Sequence, residues 1–299
     1  MAASQQLEAV IQAFRSFGES TQALTAIEDI RAAFEEMSSH FRPDADIKTE
    51  RVGVGGVPAE WIAAPGASED RVLFYLHGGG YVIGSMRTHR EMLSRMSRVS
   101  GARVLGLEYR MAPENPFPIA VEDSVAGYRW LLSKGTDPKK IVIGGDSAGG
   151  GLTVAALVAL RYLGEPMPAA GVCLSPWVDL EGTGESMITK AEVDPIVQRD
   201  LLQFMTNMYM GNRDPRTPLA SPLYADLHGL PPLLIQVGTS ETLLDDSTRL
   251  AERAKAAGVD VTLEVWDDMI HVWQLFAPVL PEGQQAIERI GEFIREHTG

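Results

Sequence analysis

Residues 144–151 read GGDSAGGG, a single hydroxyl set among glycines, directly after the apolar run Ile141-Val142-Ile143 and directly before the Ala-rich stretch LTVAALVALRYL. Gly145-Asp146-Ser147-Ala148-Gly149 fits G-x-S-x-G, in which a serine occupies a tight strand-to-helix turn and projects its hydroxyl from the end of the strand. Five residues of pattern are weak evidence by themselves; the strand-like run before them and the helix-like run after them supply the context. Glycine is needed at 145 and 149 because a Cβ in so tight a turn would collide with the neighbouring strand or helix. A serine hydroxyl becomes a good nucleophile when a base takes its proton, and the usual base is a histidine held in the right tautomer by a carboxylate. Ser147 is therefore the candidate nucleophile.

Where a nucleophile sits on such a turn, its partners follow in the chain order serine, acid, histidine. Three histidines lie beyond Ser147. His297 is on a polar helix tail and His228 precedes the strand-like PPLLIQVG, whereas His271, in WDDMIHVWQLF after the strand-like VTLEVW, sits in a loop behind a late strand. His271 is the expected base. The acid belongs at the end of PPLLIQVG, where GTSETLLDDS offers Glu241, Asp245 and Asp246. Glu241 comes shortly after the glycine that closes the strand, while Asp245 and Asp246 fall in a helix already begun, as exposed first-turn carboxylates suited to its dipole. Glu241 is the expected acid. The oxyanion of an acyl-transfer intermediate needs backbone N–H donors, each worth about 3 to 4 kcal/mol. His77-Gly78-Gly79-Gly80, directly after VLFYL, offers them: Gly79 and Gly80 are the expected donors, with the Ala148 N–H as a third, and His77 is expected to hold the loop by hydrogen bonds.

These residues need a scaffold. From Leu7 to Phe41 apolar residues recur at helical spacing, Leu7, Val10, Ile11 and Phe14, then Leu24, Ile27, Ile30 and Phe34, which predicts two amphipathic helices with a break near Gly18. Their apolar faces are expected to pack on the protein's own body, since Glu8, Glu19, Glu28, Asp29, Glu35 and Glu36 oppose anchoring at a membrane surface. After Pro43 come the strand-like IKTERVGV, VPAEWIAA and RVLFYL, then alternating helix-like and strand-like segments. Runs of Val, Ile and Leu apolar on both faces predict a mostly parallel sheet covered by helices on both sides, with the first two or three strands antiparallel. The segment 179–218 breaks the rhythm, carrying an apolar face of Leu201, Phe204, Met205, Met208 and Tyr209. It reads as an insertion above the strand ends which, with the N-terminal helices, would form a lid. Tyr81, Met86, Trp177, Phe204, Met205, Met208 and Tyr209 are candidate lining for an apolar substrate pocket.

Bulk composition sets further bounds. A chain of 299 residues with 45% hydrophobic content supports one large domain. Its formal charge of -14 opposes attraction to nucleic acid or anionic lipid. The single cysteine, Cys173, excludes an intrachain disulfide, and its setting AGVCLSPW predicts an inert core thiol. MAASQQLEAVIQAF lacks the basic and continuous apolar segments of a secretory signal, and no apolar run reaches membrane-spanning length. A cytoplasmic protein requiring no metal or cofactor is expected.

With HGGGYVIGS, YRMAPENPFPIAVED, GGDSAGGG, GTSE and IHVW in this order, the chain resembles the hormone-sensitive-lipase-like (bacterial family IV) esterases of the α/β-hydrolase superfamily over roughly residues 45–299. The resemblance implies an α/β-hydrolase fold with about eight strands. It also implies a helical cap built from 1–45 and 179–218 on a core of 46–178 and 219–299, and a serine esterase acting on short- to medium-chain acyl esters through an acyl-enzyme. Many members carry Asp-Pro where this chain has Glu241-Thr242; a longer carboxylate reaches the same imidazole from a slightly displaced backbone, and a glutamate branch exists. Arg110, Glu114 and Asp123 of the second motif are expected to brace loops beside the site. The competing reading is a catalytically inactive small-ligand-binding protein on the same scaffold, as in the gibberellin receptors, which lack the catalytic histidine; His271 speaks for an enzyme. Amide, lactone and long-chain triglyceride substrates stay open. The edge of VTLEVW would permit a homodimer by strand pairing.

Overall fold

The computed structural model describes residues 4–21, 24, 26–38 and 40–299. Two helices, α1 (Gln5–Thr21) and α2 (Ile27–Ser38), precede the hairpin of β1 (Lys48–Val54) and β2 (Val57–Ala63). There follow β3 (Ser68–Leu76), α3 (Met86–Ser100), β4 (Ala102–Leu107), α4 (Ile119–Ser133), β5 (Ile141–Asp146), α5 (Ala148–Tyr162) and β6 (Ala170–Leu174). A long excursion carries α6 (Ser186–Thr189) and α7 (Arg199–Met210) before β7 (Leu233–Gly238), α8 (Leu244–Ala256), β8 (Val261–Trp266) and α9 (Pro281–Thr298).

The eight strands form one sheet in the order β1-β2-β4-β3-β5-β6-β7-β8. β2 runs antiparallel to both its neighbours and all other pairs are parallel. The antiparallel character expected of the opening strands thus resides in β2 alone, because β3 turns away from the hairpin and inserts between β4 and β5. Central strands are apolar on both faces: Val72, Phe74 and Leu76 join the core under α4, α5 and α8, while Leu73 and Tyr75 join the core under α3 and α9. With β3, β5, β6, β7 and β8 all parallel, the residues that follow them emerge at one edge of the sheet, where open α/β sheets hold their ligands. His77–Gly80, Ser147, Ser175, Glu241 and His271 all follow strand ends of this set.

The N-terminal helices pack as expected on the body of the protein. Leu7, Val10 and Phe14 are buried against Met269, Ile270, Trp273, Leu280 and Ala286. The break foreseen near Gly18 is not there: α1 continues through it to Thr21, since one glycine costs a helix only about 1 kcal/mol relative to alanine. Helix α2 has no fully buried residue, and polar contacts tie it down. Arg31 donates from Nε to Val82 O at 2.8 Å and from Nη2 to Ala112 O at 2.8 Å, and it pairs with Glu114 at 2.8 Å. Arg110 pairs with Asp123 at 2.6 Å, and Asp123 also accepts the Arg110 backbone N–H at 2.9 Å. Asp123 therefore braces the loop after β4, and Glu114 fastens that loop to α2. Cys173 is fully buried in β6, and burial pushes its thiol up to about 12. Among the described residues no helix is long and apolar enough to cross a membrane.

Candidate active site

Ser147 stands between β5 and α5 with φ 52° and ψ -121°, a backbone conformation that non-glycine residues seldom adopt and that a surrounding structure must enforce. Here its N–H donates to Leu174 O at 2.8 Å and its carbonyl accepts from Trp177 N at 2.9 Å. Two residues on, a Cβ at Gly149 would lie 1.9 Å from Leu76 O, so only glycine lets α5 start this close to β3. Ala148 begins the helix, and its N–H is among the first-turn donors that have no intrahelical acceptor.

The glycine loop after β3 is a tight turn in which Gly79, at φ 112°, accepts from Val82 N at 3.0 Å and Ile83 N at 2.9 Å. Its anchor is the buried carboxylate of Asp146. One oxygen accepts from Gly78 N at 3.0 Å and Tyr75 Oη at 2.8 Å, and the other meets His89 Nε2 at 3.2 Å. Burial opposes charge on His89, but the Asp146 carboxylate outweighs it and raises the imidazole pKa. His77 goes the other way: burial, aided by the charge of His89, depresses it to about 4, so it is neutral. Its Nδ1–H donates to Gly78 O at 2.8 Å, its ring stacks on Tyr109 at 4.3 Å, and Tyr109 Oη donates to His77 O at 2.8 Å. These contacts make His77 a brace for the loop.

Glu241 and His271 meet at the far side. Glu241 is fully buried; its Oε2 lies 2.8 Å from His271 Nδ1, and its Oε1 accepts from Gly238 N at 2.7 Å and Ser175 Oγ at 2.9 Å. Since the carboxylate only accepts, Nδ1 carries the proton and Nε2 is left as the basic atom. Burial would lower the His271 pKa, but the hydrogen bond and charge of Glu241, with the charge of Asp194, raise it. The two loops are also tied through the backbone, from Thr239 N to Trp266 O and from Ser240 N to Met269 O, each at 2.9 Å. Ser175, a residue the sequence reading passed over, joins acid and base directly: its hydroxyl donates to Glu241 and accepts the Val272 N–H at 3.2 Å. A serine after β6 carries no motif of its own, and the sole local sign of its role is a positive φ of 44°.

Ser147, His271, Gly79 and Gly80 line one cavity of about 220 Å³. Phe14 and Gly18 of α1, Ile30 and Phe34 of α2, and Ile196, Leu202 and Met205 of the insertion add its largely apolar walls. Of the seven side chains expected to line a pocket, Met205 does so. Its sulfur fills the space beside Gly80, where a Cβ would lie 1.9 Å from it. The other six lie elsewhere. Tyr81 and Tyr209 are buried and stacked on each other at 3.9 Å, with Trp177 beside Tyr81 at 6.1 Å, so this aromatic cluster fastens α7 to the core. Met86, the first residue of α3, is buried against Gly106 of β4. Phe204 is 40% exposed and Met208 is half-buried. Helix α7 instead turns Leu202, Met205, Thr206 and Tyr209 inward. Asp245 and Asp246 are not the exposed first-turn residues expected either. Asp246 is buried and accepts Val178 N and Asp179 N at 2.9 Å each, while Asp245 accepts Ser186 N at 2.8 Å. Both brace the insertion. Among the described residues no group of three or more His, Cys, Asp or Glu side chains could hold a metal ion.

Residues 73–275 match the family described as alpha/beta hydrolase fold. The chain is 48% identical over 277 residues to an acetyl-hydrolase of Streptomyces hygroscopicus, covering 91% of each chain. It is 35% identical over 265 residues to an esterase of Acinetobacter venetianus, covering 88% of this chain and 87% of that one. Among solved structures it superposes on an esterase from the bacterial hormone-sensitive lipase family with a TM-score of 0.98, at 62% identity over 100% of both chains. The chain belongs to the α/β-hydrolase family, in its branch of bacterial hormone-sensitive-lipase-type esterases.

Proposed function

We propose that the chain is a serine carboxylesterase whose triad is Ser147, His271 and Glu241. Ser147 Oγ attacks the ester carbonyl while its proton passes to His271 Nε2, and the oxyanion is met by the N–H groups of Gly79, Gly80 and Ala148. Collapse breaks the ester C–O bond, and His271 gives its proton to the departing alkoxide. Water, deprotonated by the same nitrogen, then hydrolyses the acyl-enzyme and restores Ser147. Glu241 holds the imidazole tautomer and stabilises the imidazolium. The observation that supports this reading best is the 2.8 Å contact of Glu241 with His271 beside the cavity that Ser147 shares.

An apolar cavity of about 220 Å³ suits a short to medium acyl chain, with α1, α2 and the segment 179–218 as its cap. An acidic chain with one cysteine fits a cytoplasmic setting, and the outer edge of β8, the last strand of the sheet, would serve a homodimer.

Ser147→Ala should lower hydrolysis of p-nitrophenyl butyrate by roughly 10⁴-fold or more, with the fold retained by circular dichroism. Wild-type activity in this variant overturns the assignment. A ligand-binding protein without activity would also resist stoichiometric labelling of Ser147 by an organophosphate. A series of p-nitrophenyl esters from acetate to dodecanoate reads the acyl preference.

A further inference from the structure

The insertion between β6 and β7 sends one carboxylate back toward the acid loop. Asp194 is 3% exposed, and among the described residues its four side-chain hydrogen bonds all come from N–H or O–H groups. One oxygen accepts from Ile196 N at 2.9 Å and Val197 N at 2.8 Å, shaping the turn that leads into α7. The other accepts from Thr242 N at 2.7 Å and lies 3.1 Å from Thr242 Oγ1. Thr242 follows Glu241 directly. The turn that Asp194 shapes also supplies Pro195, Ile196 and Val197 to the cavity wall. A single buried side chain thus touches the backbone of the substrate-facing wall and the peptide that joins the proposed catalytic acid to Thr242.

We propose that Asp194 is a positioning residue of this site, joining the cavity wall to the Glu241-Thr242 peptide so that seating of the insertion and alignment of the acid are one event. This rests on the triad reading above. Both oxygens accept from backbone N–H groups, so a neutral amide with its single acceptor cannot replace this tie, and burying an ionised carboxylate costs several kcal/mol unless its charge finds further use. The use here is His271. Burial raises the Asp194 carboxyl pKa, against which the His271 charge and the N–H groups of Thr242, Val197 and Ile196 favour the carboxylate, and the Asp194 charge in turn raises the pKa of His271. The groups that bear on the imidazole are Glu241 from the loop after β7, Asp194 from the insertion and Asp146 from the end of β5, the last already paired with His89 of α3. Asp146 is committed to the glycine loop and Glu241 to Nδ1, so Asp194 is the member whose field depends on how the insertion sits.

Asp194→Asn tests the proposal. The amide oxygen still serves Ile196 and Val197, while its NH2 turns a donor toward Thr242 N–H. Both the charge and the acid-loop anchor are lost together. We expect kcat on p-nitrophenyl butyrate to fall roughly tenfold to a hundredfold, with KM changing far less. The acid limb of kcat/KM should move to lower pH, because the imidazolium has lost a stabilising charge. Organophosphate labelling of Ser147 should slow in proportion to kcat while reaching the same stoichiometry. Asp194→Glu, which keeps the charge but lengthens the arm, should lower kcat with the acid limb unmoved. An Asp194→Asn protein with a wild-type pH profile, or one whose deficit vanishes once the folded fraction is normalised, overturns the proposal. If Asp194→Asn does not fold, wild-type kcat in Asp194→Glu overturns it equally. A wild-type protein that organophosphate does not label at Ser147 would instead bring down the triad reading itself.

Discussion

Glu241→Gln separates charge from shape at the proposed triad. In the folded protein one oxygen of Glu241 serves Gly238 N at 2.7 Å and Ser175 Oγ at 2.9 Å, and the other serves His271 Nδ1 at 2.8 Å. Glutamine has one oxygen for these two places. If it stays with Gly238 and Ser175, its NH2 faces Nδ1, which must then be unprotonated; the proton moves to Nε2, and the imidazole can no longer accept from Ser147. If the amide is reversed, its NH2 opposes the buried Gly238 N–H, and orphaning that group costs about 1 to 3 kcal/mol. The first arrangement is favoured, and a serine hydrolase locked in that tautomer loses about 10⁴ in kcat. At 1.36 kcal/mol per decade this is about 5.5 kcal/mol of lost transition-state stabilisation. Glu241→Asp keeps the charge but retreats by one C–C bond, about 1.5 Å, and a misplacement of that order costs about 10². Both variants should be assayed by kcat on p-nitrophenyl butyrate with thermal unfolding as the control. Glu241→Gln within tenfold of wild type, or Glu241→Asp slower than Glu241→Gln, would refute the reasoning.

Ser175→Ala removes the donor to Glu241 and the acceptor of the Val272 N–H, so kcat should fall about tenfold and unfolding should ease by about 1 to 3 kcal/mol; unchanged kcat would return Ser175 to ordinary packing. Asp246 gives a pH test. Burial, with Asp179 nearby, pushes its carboxyl up to about 8, well above an unfolded value near ~3.9. Between these limits the folded state holds the extra proton, so the stabilising contribution is complete below the lower value and is lost as pH rises through the upper one. Asp246→Asn, which mimics the protonated acid, should flatten that fall by up to about 1.4 kcal/mol per pH unit in urea denaturation. Parallel curves for the two proteins would discount the raised carboxyl.

Much of the architecture was legible because it is periodic and local. The apolar strands and the alternating helices name a parallel sheet, and a parallel sheet brings the ends of β3, β5, β6, β7 and β8 to one edge; the nearness of Glu241 to His271 follows from that order with little else. What escaped depends on rotation and distance. Helix α7 has apolar residues nearly all round, so its inward register, Leu202 and Met205 rather than Phe204 and Met208, is set by Tyr209 stacking on Tyr81, which lies far away in the chain. Ser175 acts through partners in other loops, and Asp194, though it also caps its own turn, reaches Thr242 across the fold. Asp246 reads as a solvated first-turn acid until the backbone at 178–179 arrives to use it.

The packing of α1 has a consequence for how the molecule is made. This helix of 17 residues precedes every strand in the chain, and most of the stability of a protein helix comes from packing of its amphipathic face. Its buried face rests on Met269, Ile270, Trp273, Leu280 and Ala286, which leave the ribosome only after all eight strands of the sheet. Until those residues emerge, Leu7, Val10 and Phe14 lack this seat, while the central strands can already pair. The cavity wall that Phe14 and Gly18 complete therefore closes after the sheet is built, and a nascent chain holds a core before it holds a pocket.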